Sequence, residues 1–90
     1  MKKEDMLAKS ADLLVERGNM YGEVRQNFAR IAACAMGMLG RNVTMYEVAV
    51  ILLAVKLGRM SEDPTYVDSY LDGINYLAIA GELGTEAPNA

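Results

Sequence analysis

Lys56 and Arg59 stand three apart, and after a short polar stretch Asp68 and Asp72 follow, four apart. Side chains four apart on a helix are neighbours, so the two aspartates repel by roughly 0.2–0.5 kcal/mol unless a cation lies beside them. Two sources of positive charge answer that need. Lys56 and Arg59 can cross the intervening turn, the guanidinium offering a paired fork to a carboxylate or a phosphate. Alternatively, a divalent metal such as magnesium takes one or two carboxylates together with phosphate oxygens.

A second cluster, Arg17, Tyr21, Glu23 and Asn27, surrounds Gly18 and Gly22. In one reading Tyr21 packs down as a staple and Asn27 ties the corner. In the other the pair caps a planar ring, tyrosine supplying a stacking face and asparagine paired donor and acceptor groups. Tyr76, on the face of its helix that also carries Asp68, Asp72 and Asn75, offers a further stacking surface. Other chemistries lack parts. The chain has no histidine to act as a base, and Ser10, Ser61 and Ser69 stand in no activating motif. Cys34 lies among alanines and reads as a small buried hydrophobe, and no phosphate loop with its lysine spacing is present.

The elements that position these residues are helical. Leu7, Ala11 and Leu14 mark a first helix over about 4–17, with Gly18 as its left-handed terminator and Asn19 to Gly22 as a compact turn. Val24, Phe28, Ile31, Ala32, Ala35 and Leu39 stripe a second helix from about Glu23, stopped by Gly40. Its small-sided second half, Ala29 to Gly37, invites a close helix neighbour. Thr44-Met45-Tyr46-Glu47 is a capping box that starts a third helix at Met45. Ser61 to Pro64 ends that helix. Thr65 with Asp68 caps a fourth over about 66–83, closed by Gly84. Val67, Tyr70, Leu71, Ile74, Leu77 and Ala78 form its apolar face.

The expected architecture is therefore all-α, a compact bundle of about four helices, with residues 1–84 as one domain and 85–90 as a flexible tail. The run Val48 to Val55 is apolar on every side, and four helices of this length cannot easily surround one of their own. Completion by homo-oligomerisation follows as an expectation. The seven methionines suit an adaptable interface.

Composition narrows the partners. Nine basic against twelve acidic residues give a net charge of −3, which does not gather duplex nucleic acid. The eight-residue apolar run is far short of the roughly 20 residues that cross a bilayer, so no membrane partner is expected. The charged start is not followed by a secretion-signal apolar block, and a lone cysteine makes no internal disulfide. A cytoplasmic protein is the expectation, in the host cell if phage-encoded.

Taken in order, Glu16-Arg17-Gly18-Asn19-Met20-Tyr21-Gly22-Glu23, Asn27-Phe28-Ala29-Arg30-Ile31-Ala32, Glu47-Val48-Ala49, Lys56-Leu57-Gly58-Arg59, and Asp68-Ser69 with Asp72 and Tyr76 resemble a family of small phage and prophage proteins of uncharacterised function. A fainter resemblance is to the all-helical MazG and dUTPase-type nucleoside triphosphate pyrophosphohydrolases. It implies magnesium held by Asp68 and Asp72 with Glu47 or Glu23, although the Glu-Glu-x-x-Glu motif of that family is missing here.

Three functions fit these readings. The first is binding of a phosphorylated, nucleotide-like molecule in a helix-lined, inter-subunit pocket by Arg17, Tyr21, Asn27, Lys56, Arg59 and Tyr76. The phage resemblance suggests capture of a host immune nucleotide signal as its biological form. The second is magnesium-dependent pyrophosphohydrolysis. The third is a structural or partner-binding module.

Overall fold

The computed structural model describes residues 1–21 and 23–86, the side chain of Tyr21 excepted. Its helices are α1 (Lys3–Tyr21), α2 (Val24–Leu39), α3 (Met45–Glu62) and α4 (Val67–Thr85), with no strand among the described residues. The protein is all-α. The expected tail falls mostly on residues 87–90, outside the described residues.

Local chemistry decides most helix ends. The Glu47 N–H donates to Thr44 Oγ1 at 3.0 Å and the Thr44 N–H donates to Glu47 Oε1 at 2.9 Å, so the capping box is complete. Glu23 caps α2 by accepting from the N–H groups of Arg25 and Gln26 at 3.0 and 3.1 Å. Gly40 ends α2 at φ 69°, in the left-handed region, and its N–H donates to the Met36 carbonyl.

Three boundaries differ from the expectation. α1 runs through Gly18 to Tyr21, because Gly18 keeps helical backbone and the residues after it hold helical bonds. Thr65 does not cap α4: its N–H and hydroxyl both donate to Asp63 Oδ1, at 3.0 and 2.6 Å, tying the preceding corner instead. Tyr66 takes the cap position without a side-chain bond. α4 passes through Gly84 to Thr85, whose hydroxyl donates to the Gly81 carbonyl at 2.7 Å.

α3 and α4 form the spine, an antiparallel pair joined by the short corner at residues 63–66. Gly84 sits against the Tyr46 ring at one end, and near the other Gly73 lets α4 approach Met60, Leu53 and Lys56. α2 lies on α3 and α1 lies on α4, while α1 and α2 scarcely meet. The apolar core gathers Phe28 and Ala32 of α2, Val48 and Ala49 of α3 and Ala80 of α4, closed by Val43.

The faces presented inward are partly unexpected. In α1 the buried residue is Ser10, with Leu13, Leu14 and Arg17 half-buried, while Leu7 and Ala11 are exposed. In α4 the inward side carries Ser69, Asp72 and Asn75 beside Leu71, whereas Leu77 and Ala78 face outward. α4 is sandwiched between α1 and α3, so its position in the bundle overrides side-chain hydrophobicity. α3 buries Val48 and Ala49 and leaves Val50, Ile51, Val55 and Leu57 exposed, so it is not enclosed within the chain. Ala29, Ala33 and Gly37 of α2 are exposed and receive no close neighbour, and Cys34 among them is exposed instead of buried.

The cap gives a testable pH dependence. The Thr44 N–H, helped by the Thr44 hydroxyl and Arg41, holds the Glu47 carboxyl below its ordinary 4.5. Its stabilisation is complete above pH 4.5 and is lost as pH falls through the lower folded-state value. Thr44→Ala is expected to cost about 1 kcal/mol in urea unfolding at pH 7. Glu47→Gln should narrow its stability gap from the unsubstituted chain as pH drops below 4.5; a gap that widens would contradict the assignment.

Candidate functional site

Because α1 and α2 rest on different members of the spine, a recess of about 510 Å³ opens between them. Leu14, Arg17 and Gly18 come from α1, and Val24, Asn27, Phe28 and Ile31 from α2. The floor is Leu52 and Lys56 of α3 with Asp72, Asn75, Tyr76 and Ile79 of α4. Apolar walls therefore enclose one polar end.

Asp72 organises that end. Its Oδ1 is 2.7 Å from Arg17 Nη1 and its Oδ2 is 3.0 Å from Lys56 Nζ, with only 8% of the carboxylate side chain exposed. The Arg17 contact is ionic without hydrogen-bond alignment at Oδ1. Two cations and one anion leave one net positive charge in a low-dielectric recess, where charge acts more strongly than in water. Lys56 is 15% exposed, whereas Arg17 is 42% exposed and keeps most of its five N–H donors clear of Asp72. Among the described residues the Asn75 Nδ2 is buried without a hydrogen-bond partner, an unusual state for a strong donor.

The residues predicted from sequence separate into two groups. Arg17, Asn27, Lys56 and Tyr76 meet at the recess. Arg59 is exposed in the last turn of α3 and does not line it. The Tyr21 side chain lies outside the described residues. Asp68 is also exposed, nearer the α3–α4 corner, and accepts a hydrogen bond from the Tyr66 hydroxyl at 3.3 Å. The pairing of Lys56 with α4 is therefore present, but Arg17 of α1 takes the place expected for Arg59.

The carboxylates needed for magnesium are not gathered. Asp72 is engaged by two cations, Glu47 and Glu23 cap their own helices, and Asp68 stands apart. Among the described residues no three His, Cys, Asp or Glu side chains converge as a metal set, so these residues do not fit the cage implied by the fainter resemblance.

The sequence places Asn75 on the polar face of its helix without giving it a role, and it gives no sign of Gly73. Asn75 lies three residues beyond Asp72 on the same face, which is the signal that marks it. Gly73 reveals itself only through the contact it permits: a Cβ there would stand 3.0 Å from Met60 Cε and 3.8 Å from Lys56 Cβ. Its missing side chain brings α3 and α4 together where Lys56 reaches Asp72.

Removing the shared anion should cost more than removing one cation. Asp72→Asn strands Lys56 and Arg17 together, a loss near the lower end of roughly 3–5 kcal/mol because Arg17 can turn to water. Lys56→Met leaves Arg17 to answer Asp72 and should cost distinctly less. Urea unfolding at pH 7 checks the order; the reverse order would deny Asp72 its organising position.

No described helix is long and apolar enough to cross a membrane. No curated protein and no solved structure matches the chain. A family model described as a domain of unknown function, DUF6378, matches residues 5–84, which take in all four helices almost entirely and every residue of the recess. The chain belongs to the DUF6378 family.

Proposed function

We propose that the protein binds a small phosphorylated molecule with a flat heterocyclic ring, a nucleotide or nucleotide-like signal, in the recess between α1 and α2 and releases it unchanged. The observation that carries this reading is the pairing of a net positive charge with an Asn75 Nδ2 that has no partner among the described residues, at the end of an otherwise apolar recess. A buried donor without an acceptor costs about 1–3 kcal/mol, which a ligand oxygen or ring nitrogen would recover. The volume of about 510 Å³ falls in the ordinary range for small-molecule sites.

Each wall has a part in this reading. The outward donors of Arg17 receive the phosphate, with Lys56 behind them. Phe28 and Tyr76 supply aromatic surface for a ring, and Asn27 offers a second amide to its polar edge. Binding without turnover is favoured over pyrophosphohydrolysis because Asp72 is occupied by its cations and Asp68, Glu23 and Glu47 are elsewhere. The resemblance to phage proteins supports a biological form in which a host immune nucleotide is sequestered.

Calorimetric titration and native mass spectrometry with a panel of linear and cyclic nucleotides test this, with and without magnesium. One or more should bind at micromolar or tighter affinity and elute chemically intact. Arg17→Ala should weaken that binding at least about tenfold, or 1.4 kcal/mol, with the helical spectrum unchanged. Failure of the whole panel to bind, or release of pyrophosphate, would overturn the reading.

A further inference from the structure

The charge on the walls of the recess limits the charge of what it can hold. Among the described residues that line it, only Arg17, Lys56 and Asp72 are charged, two positive and one negative, so the sum is one positive charge. The Asp72 carboxylate, 8% exposed, is built into that same end and cannot withdraw to water. Tyr21, Gly22 and residues 87–90 bring no cationic side chain of their own.

No further cation stands at the recess. Arg25, next to Val24, is turned to Glu82 and Glu86 at the C-terminal end of α4. Arg30 and Arg59 are exposed and line none of it. The N–H groups that open α2, ordinarily a place for an anion, already serve the Glu23 carboxylate. A phosphodiester carries one negative charge and brings the lining to neutrality. A phosphomonoester carries close to two at neutral pH, and each added phosphoryl group brings more. The excess then lies beside Asp72, and like charges repel most strongly where water is scarce.

We infer that the recess takes a ring-bearing ligand whose phosphate is a singly charged diester, as in a cyclic or internally linked nucleotide, in preference to nucleoside triphosphates. The inference rests on the ligand reading above and adds to it the class of phosphate. Arg17 is the cation that meets the diester, Lys56 stays with Asp72, and nothing remains to answer a longer phosphate chain.

Calorimetric titration without magnesium, at pH 7 and constant ionic strength, tests it. The probes are the 3′,5′-cyclic monophosphate, the 5′-monophosphate and the 5′-triphosphate of adenosine, guanosine, cytidine and uridine. For whichever base binds best, the cyclic form should bind at least about tenfold more tightly than the triphosphate. Gly18 isolates the cause, because it lines the recess beside Arg17 within α1 and a Cβ there meets nothing within 4 Å. Gly18→Lys raises the lining to two positive charges, and Gly18→Gln supplies a long polar side chain without the charge. Between these two variants, lysine should raise triphosphate affinity at least about tenfold and cyclic affinity distinctly less. Two results would overturn the inference and leave nucleotide binding standing: affinity that climbs from the cyclic form to the triphosphate, or a ratio between them that is the same in both variants. Silence from every probe would also overturn it, and would take the ligand reading with it if the wider nucleotide panel is silent too.

Discussion

A single carboxylate holds three helices in register. Asp72 projects from α4 and meets Arg17 of α1 and Lys56 of α3, so one contact within the spine and one to an outer helix converge on one buried anion. Buried ion pairs are poor sources of net stability, since desolvation takes back most of the Coulombic gain, and apolar side chains of equal volume often do as well. What the cluster provides is position and charge. It fixes α1 against the spine at Arg17 and leaves a positive end to a recess whose remaining walls are apolar.

The recess follows from the way the bundle is divided. α2 is committed to α3 through the Phe28, Ala32, Val48 and Ala49 core, and α1 is committed to α4, where Arg17 meets Asp72. Neither outer helix is drawn to the other, so a cleft stays open along their seam. Gly73 beneath its floor is small for reasons of space, since it lets Lys56 come within reach of Asp72. In the free protein Asp72 satisfies part of the demand that an incoming anion would otherwise meet. Arg17, the more exposed cation, is the one free to exchange partners.

Features decided by a few adjacent residues were legible in the sequence. The Thr44–Glu47 capping box, the stop at Gly40 and the α2 stripe from Val24 to Ala35 all depend on contacts within one turn or one helix, whereas Leu39, expected in that stripe, is exposed. Gly18 misled because a glycine fits a helix interior as well as a terminus, and only the residues after it decide which. Thr65 misled because Asp63 competes for its N–H and hydroxyl. The orientation of α4 was beyond periodicity. Leu77 belongs to the more apolar side of the wheel, but a helix wedged between two others buries whatever faces them, here Asp72 and Asn75. The joining of Lys56 to Asp72 was readable because both flank one short corner. The arrival of Arg17 was not, because no local pattern records which outer helix closes over the spine.

Side-chain nitrogens report directly on whether the polar end of this recess receives the anionic, ring-bearing ligand proposed for it. A ¹H–¹⁵N correlation spectrum of the labelled protein, followed through titration with a nucleotide, resolves the Asn75 amide and the Arg17 guanidinium as separate signals. Both should shift together and saturate at one ligand concentration, with the Asn75 Nδ2 protons moving in the sense of a newly formed hydrogen bond. Shifts confined to the outer faces of α2 or α3, with Asn75 and Arg17 unmoved, would contradict that proposal.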